Sequence, residues 1–471
     1  MTKPESDTVL SPAGKRAVVD RFARHINRGQ VKYLRAGHLD VLEAARKGAG
    51  FTDPASGRRL FDCFTSAGCF NVGRHNPVVM QALEEALETE DMGSFFLLSP
   101  AKAALAEKLC AVAPDGLDRL RFASGGGEAV EMAIKLARGV TRRNRVLSTV
   151  KAYHGHTGFA LSANGKPHYR RYCEPLMPGF EFAPYNDLEA MVHRADVNTA
   201  AIIVEPVQGE AGIYPASREY LEGLRQLCDE RGIFLIFDEI QTGFGRTGRL
   251  FACEHAGVVP DMMTVAKSLG AGLYPIAAML YRAAPAVDAF LAHHPDFHTS
   301  YTGGTDLGCR VGLRVIEYIE EQRLCENAGR MGQRLQDALR ALTAENPRII
   351  KEVRGVGLMV GIEYVHEFMG PMMSEALARQ GVFAAYSGNA PQVMRFMMPI
   401  VATEEEIDAV AEAIGAAVAH MKTLLPLALL AARVPGVLPI FNNERVQTWA
   451  FGLLRRIEDT FGRNRGGSHD G

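Results

Sequence analysis

Residues 121–138 read RFASGGGEAVEMAIKLAR: a short apolar run, then Ser124, Gly125, Gly126 and Gly127, then a helical pattern. Ala129, Met132, Ala133, Leu136 and Ala137 recur at i, i+3, i+4, i+7 and i+8, which makes one buried helix face. The glycines therefore fall at the N-terminus of that helix, where free backbone N–H groups and the positive end of the dipole suit a phosphate. A tight strand-to-helix turn without a ligand accounts for the same glycines, so the loop alone leaves both readings open. The spacing matches neither a Walker A loop nor GxGxxG, which disfavours a nucleotide.

Outward from this unit, short β-branched runs alternate with amphipathic stretches from about residue 118 to 280: LRFAS, RVLSTV, AAIIVEPV, IFLIFDEI and MMTVAK. Buried strands separated by helices predict a doubly wound α/β arrangement, a parallel sheet covered on both faces. Ligands of such sheets sit beyond the carboxyl ends of the strands, so chemistry is expected just after each run. Residues 50–66, GFTDPASGRRLFDCFTS, read as a hairpin, and 310–343 and 403–422 as helices around short strands such as GLMVGIEYV. Segments from both chain ends are expected to form a smaller α+β domain. The division is 1–66 and 322–425 for that domain, 67–321 for the large one, and 426–471 for an appended helical element with a frayed tail.

The chain has 471 residues, 47% hydrophobic and 23% charged, a balance that excludes whole-chain disorder, collagen and coiled coil. Fifty-two basic against 54 acidic side chains give a net charge of -2, so no global field draws it to nucleic acid or anionic lipid. Neither partner is expected. The eight cysteines are scattered without Cys-x-x-Cys or zinc spacing and read as reduced core thiols, with no metal site. The opening MTKPESDTVLS has no secretory pattern, which makes the cytoplasm the expected compartment. Leu424–Phe441 is the longest nearly continuous apolar run, but it holds Pro426, Arg433, Pro435 and Pro439 and is short of the roughly 20 residues of a spanning helix.

Two more strand ends carry chemistry. IFLIFDEIQTGFGRTG ends its apolar run in Asp238 and Glu239, and a carboxylate there is costly to desolvate unless a cation, such as a protonated ring nitrogen, meets it. An N-cap or structural ion pair is the plainer reading of either acid. MMTVAKSLGAGLYP sets Lys267 at another strand end, and a lysine in a dry site readily becomes a neutral amine able to form a Schiff base. A phosphate cradle, an acid and a lysine on one sheet edge together suit pyridoxal 5'-phosphate (PLP). The cradle anchors the phosphate, the acid keeps the pyridine nitrogen protonated, and the lysine holds the aldehyde.

The ordered set GEAVEMAIKLAR, AYHGHTG, EPVQGEAG, FDEIQTGFGRTG, PDMMTVAKSLGAGLYP, SYTGGTDLGC and MRFMMP resembles the class III aminotransferases, of the ornithine, acetylornithine and 4-aminobutyrate type and of fold-type I among PLP enzymes, over about residues 50–420. The resemblance implies a PLP-dependent aminotransferase that is a homodimer with active sites at the subunit interface. It implies that Lys267 binds the cofactor aldehyde and shuttles the proton, that Asp238 pairs with the pyridine nitrogen, and that Gln241 lies near the ring hydroxyl. Tyr153 would stack on the ring, with His154 shaping the turn, and Gly125, Gly126 and Gly127 would bind the phosphate. Arg395 and Glu210 hold the positions of an arginine for the substrate carboxylate and a glutamate that masks it.

Three departures bear on substrate. The loop reads Ser-Gly-Gly-Gly-Glu where the family has Asn-Ser-Gly-Thr/Ala-Glu. Tyr301 replaces the threonine that reaches the neighbouring subunit's phosphate, leaving Thr302 or Ser300 as substitutes. Ala67 stands where ornithine-handling members hold tyrosine, which argues against ornithine. The expected function is ping-pong transfer of an amino group from an amino acid or amine to an aldehyde or ketone, in specialised biosynthesis. The alternatives are an aminomutase or decarboxylase of the same fold and, from another class, a non-catalytic PLP-binding regulatory or partner subunit. Asn442–Phe461, with Trp449, is expected to pack as an amphipathic helix.

Overall fold

The computed structural model describes residues 10–36 and 39–432. The segment around Trp449 lies outside the described residues. At the centre stands a seven-stranded sheet in the order Arg119–Ala123, Ala277–Tyr281, Met262–Val265, Phe234–Asp238, Thr199–Val204, Arg145–Thr149, Phe180–Ala183. Its strands are parallel except Ala277–Tyr281, which pairs antiparallel with both its neighbours. The mainly parallel sheet expected from the sequence forms, with this one strand reversed. AAMLY is as apolar as its parallel neighbours and fully buried, and direction leaves no mark on such a run.

Helix Gly126–Thr141 packs on this sheet by the expected face: Ala129, Met132, Ala133, Leu136 and Ala137 are buried, with Val130 and Ile134 beside them. Burying such side chains stabilises by about 1.5–3 kcal/mol for each larger aliphatic one. The helix starts abruptly at Gly125, an N-cap with no side-chain hydrogen bond. Among the described residues its first N–H groups thus have no side-chain cap, and they lie just past the carboxyl end of the Arg119–Ala123 strand.

The hairpin read at 50–66 forms, Gly50–Thr52 pairing antiparallel with Arg59–Asp62. Val382–Phe383 joins the same sheet, parallel to Arg59–Asp62, so distant parts of the chain share it. A second sheet of Ile350–Val356, Met359–Tyr364, Val393–Phe396 and Ala385–Tyr386 is antiparallel throughout and carries Arg395. Helix Glu404–Ala432 runs straight through residue 425, where the sequence reading placed a boundary. The cysteines are all free, but only Cys63, Cys228, Cys253 and Cys309 are buried, and Cys173 is exposed. "Core thiols" is therefore right for half of them. Among the described residues no helix is long and apolar enough to cross a membrane, and no three His, Cys, Asp or Glu side chains form a metal-binding group.

Candidate active site

A cavity of about 500 Å³ opens at the carboxyl edge of the large sheet. Its walls include Gly125, Gly126, Gly127, Tyr153, His154, Glu210, Asp238, Gln241 and Lys267, so nine of the eleven residues singled out from the sequence meet in one place. Arg395 joins them through an ion pair with Glu210. Thr302 does not: it is exposed and outside the cavity of its own chain.

The Phe234–Asp238 strand explains which acid faces the site. Successive side chains of a strand leave opposite faces. Glu239 turns away from the cavity and is satisfied by the N–H groups of Ala252 (3.0 Å) and Cys253 (2.8 Å) and by the Thr242 hydroxyl. It is structural. Asp238, 5% exposed, lines the cavity and accepts from Ile240 N (3.1 Å), from the Thr264 hydroxyl (3.3 Å) and from His154, whose Nδ1 lies 2.7 Å away. Sequence reasoning gave His154 a shaping role and missed this pair. The motif places the two residues 84 positions apart, and only the sheet brings them together.

Lys267 follows the Met262–Val265 strand and opens a short 3₁₀ turn, Lys267–Gly270. Its φ of 44° is a left-handed value that a non-glycine residue holds only at a cost of about 1–3 kcal/mol. The turn is fastened by the Ser268 hydroxyl, which donates to Gly68 O at 2.8 Å. Thr65, Ser66 and Ala67 are also left-handed, with φ of 50°, 51° and 58°. This strained run presents Ala67 O to Gln241 Nε2 at 3.0 Å, so two strained segments hold each other against the cavity wall.

Glu205 also lines the site. One carboxyl oxygen accepts from Tyr153 N at 2.9 Å and the other from Gly209 N at 3.4 Å. Burial, with the Asp238 charge adding to it and His154 opposing, pushes its carboxyl up to about 7. Tyr153 is half-buried, and burial and the charges of Glu210, Asp238 and Glu205 keep its hydroxyl protonated above the usual tyrosine value. Arg395 is 3% exposed, and its Nε has no partner among the described residues, leaving a donor of the guanidinium unused beside Glu210.

The residues present fit PLP. A Cβ built on Gly125 would meet nothing within 4 Å, so there is open space at the uncapped helix end where a phosphate would lie. Asp238 is a buried acid whose donors Ile240 N, Thr264 and His154 leave room for one cationic N–H. Ser124 offers no hydroxyl to that space, because its Oγ donates to Glu128 Oε2 at 2.6 Å. Burial opposes ionisation of Glu128, but hydrogen bonds from Ser124 and His298 outweigh it and hold the carboxyl down at about 2.

Comparison with known proteins agrees with this geometry. The family model Aminotransferase class-III matches residues 35–418. An uncharacterized aminotransferase of Archaeoglobus fulgidus is 38% identical over 404 residues, covering 86% of this chain and 94% of that protein. Among solved structures, a thermostable (S)-enantioselective omega-transaminase from Thermomicrobium roseum superposes with a TM-score of 0.79 at 30% identity, over 86% of this chain and 98% of its own. The ornithine aminotransferase of Toxoplasma gondii, a structure with partial occupancy of PLP at its active site, gives 0.76 at 30% identity over 81% and 91%.

Proposed function

Because the chain belongs to the class III aminotransferases and is a PLP-dependent transaminase, we propose that its amino transfer is carried out by the residues gathered around Lys267 and Asp238. The observation that carries this reading is their meeting in one cavity with the open end of the Gly126–Thr141 helix. PLP, when bound, supplies an aldehyde that condenses with amines and an electron-poor ring that takes up the electron pair left at the substrate carbon.

The chain's own groups do the rest. Lys267 Nζ would hold the cofactor's aldehyde and, once an incoming amine frees it, would carry the proton taken from the donor carbon. Asp238 would meet the protonated ring nitrogen, and His154 steadies the acid. Backbone N–H groups of Gly125, Gly126 and Gly127 bind the phosphate without side-chain reorganisation. Gln241, held by Ala67 O, faces the ring hydroxyl, and Tyr153 keeps water from one ring face. Arg395 grips a substrate carboxylate in the half-reaction that brings one, and Glu210 covers it otherwise. A carbonyl acceptor runs the same steps backwards.

The working unit is a homodimer in the cytoplasm. Phe96, Leu97 and Leu98 are 83%, 68% and 102% exposed, with Tyr301 at 71% in tilted ring contact with Phe95, centroids 4.5 Å apart. Such a patch is large for an isolated surface, and it places Thr302 next to it, ready to reach a partner's phosphate. Free cysteines suit a reducing compartment. Ala67 in place of a tyrosine, and the altered glycine loop, support a donor other than ornithine and a place in specialised biosynthesis.

Borohydride reduction of the holoenzyme, digestion and mass measurement should place a pyridoxyl mass on the Lys267 peptide, and Lys267→Ala should abolish turnover. A panel of donors, followed by loss of the cofactor's absorption band, then names the substrate. Carbon dioxide release, or isomerisation with no added acceptor, would mark a decarboxylase or mutase instead.

A further inference from the structure

Glu210 can uncover Arg395 only if its carboxylate has somewhere to go. Its backbone is fixed: Glu210 O accepts from the Ser387 hydroxyl and from Asn389 N at 3.3 Å. Among the described residues the side chain is held at one oxygen, Oε1, by Arg395. The other oxygen, Oε2, looks across Gly388. A methyl group placed on Gly388 would lie 3.7 Å from Glu210 Oε2 and 2.8 Å from the Tyr169 hydroxyl. Lys166 Nζ donates to Gly388 O, and an ammonium keeps two further N–H groups to give. Resting on the reading of Glu210 and Arg395 as a substrate gate, we infer that Tyr169 and Lys166 form a second seat for the Glu210 carboxylate, occupied when Arg395 is released to a substrate carboxylate.

The surroundings suit that task. The Tyr169 hydroxyl makes no hydrogen bond among the described residues, and its ring is held edge-on by Tyr153 at 5.4 Å and His156 at 5.5 Å. Burial, reinforced by the Glu210 charge, pushes that hydroxyl up to about 12, so it remains a donor. Burial, with the Lys151 charge, brings Lys166 below the ordinary lysine value, and the Glu210 charge opposes them in favour of the ammonium form. A carboxylate leaving Arg395 for water would forfeit a charge-assisted bond; moving to a phenol and an ammonium replaces it. Gly388 is the clearance between the two positions. Tyr169 and Lys166 are positioning residues, acting on substrate choice through Glu210.

The test uses holoenzyme and two readouts. The first is the ratio of kcat/KM for L-phenylalanine to that for 2-phenylethylamine, which share a side chain and differ in the carboxylate. The second is the affinity for propionate, read from the cofactor's absorption, which needs no turnover. Tyr169→Phe, Lys166→Met and Gly388→Ala, which blocks the passage, should each lower both about tenfold, and Lys166→Arg should restore them. Equal losses with both donors, or propionate affinity unchanged in all three, would overturn the seat. Glu210→Ala should raise propionate affinity and Arg395→Ala abolish it. If neither moves it, the gate reading fails, whatever the seat variants do.

Discussion

His154 Nδ1 lies 2.7 Å from Asp238 Oδ2, with the imidazole sealed from solvent. Burial alone would strip a proton from this ring, but the hydrogen bond and charge of Asp238 outweigh it and raise His154 above the ordinary histidine value. The ring N–H is thereby kept on the side facing the acid, and the acid is kept in place for the cofactor's ring nitrogen. A hydrogen bond to a charged group is worth about 1.5–3 kcal/mol, so His154→Ala should weaken PLP retention about ten- to a hundredfold. Absorbance of the cofactor remaining after dialysis, at several PLP concentrations, reads this directly. Retention equal to wild type would remove His154 from the cofactor's support.

Gly125 separates folding from binding. Its φ of -167° is extended backbone open to any residue, and a Cβ there meets nothing within 4 Å. Gly125→Ala should therefore leave apo stability within about 0.5 kcal/mol, yet place a methyl group in the phosphate's space and weaken PLP binding by about tenfold or more. Gly127 differs, since its Cβ would stand 3.0 Å from Thr157 Oγ1, and alanine there should cost stability as well. Thermal melts of the apo proteins and PLP titrations distinguish the two. An apo melt lowered by several degrees in Gly125→Ala would contradict the open cradle.

Leu98 is fully exposed in the single chain, so a charge there costs its own fold little. Leu98→Glu, placed in the patch with Phe96 and Leu97, should shift the proposed homodimer towards monomers and loosen PLP along with it. Sedimentation against concentration measures the first effect and cofactor release the second. A dimer as tight as wild type would remove this patch from the interface.

What was legible in the sequence follows from range. The Gly126–Thr141 helix and its glycine start are local: periodicity marks the face and the glycines mark the end. Asp238 and Lys267 were legible because strands deliver their last residues to one edge whatever the topology. Contacts made by register were not. Thr264 reaches Asp238 because the two residues are paired across adjacent strands, and nothing local in MMTV announces it. The buried AAMLY strand carries no sign of its direction. A strand-end glutamate such as Glu205 gives no hint of which N–H groups it will meet, and those lie at Tyr153, far away in the chain, and at Gly209. That Glu239 is claimed by the N–H groups of Ala252 and Cys253 is likewise a contact the local sequence does not announce.

Glu205 makes stability fall with pH in a defined window. Its carboxyl, at about 7 in the fold against an ordinary 4.5, binds its proton more tightly folded than unfolded. The folded state is thus favoured while both forms are protonated, below about 4.5, and loses that advantage as pH climbs through about 7, after which the term is constant. His154, raised above its usual value, adds a slope of the same sign, beginning near 6.5. Glu205→Gln keeps an acceptor for Tyr153 N and removes only the first contribution. Between pH 5 and 8 the melting temperature of the wild type should therefore drop further than that of Glu205→Gln, with a residual slope from His154 left in the variant. Parallel curves over that interval would mean that Glu205 is ionised throughout, and that Tyr153 is held by a carboxylate whose burial costs the fold nothing as pH changes.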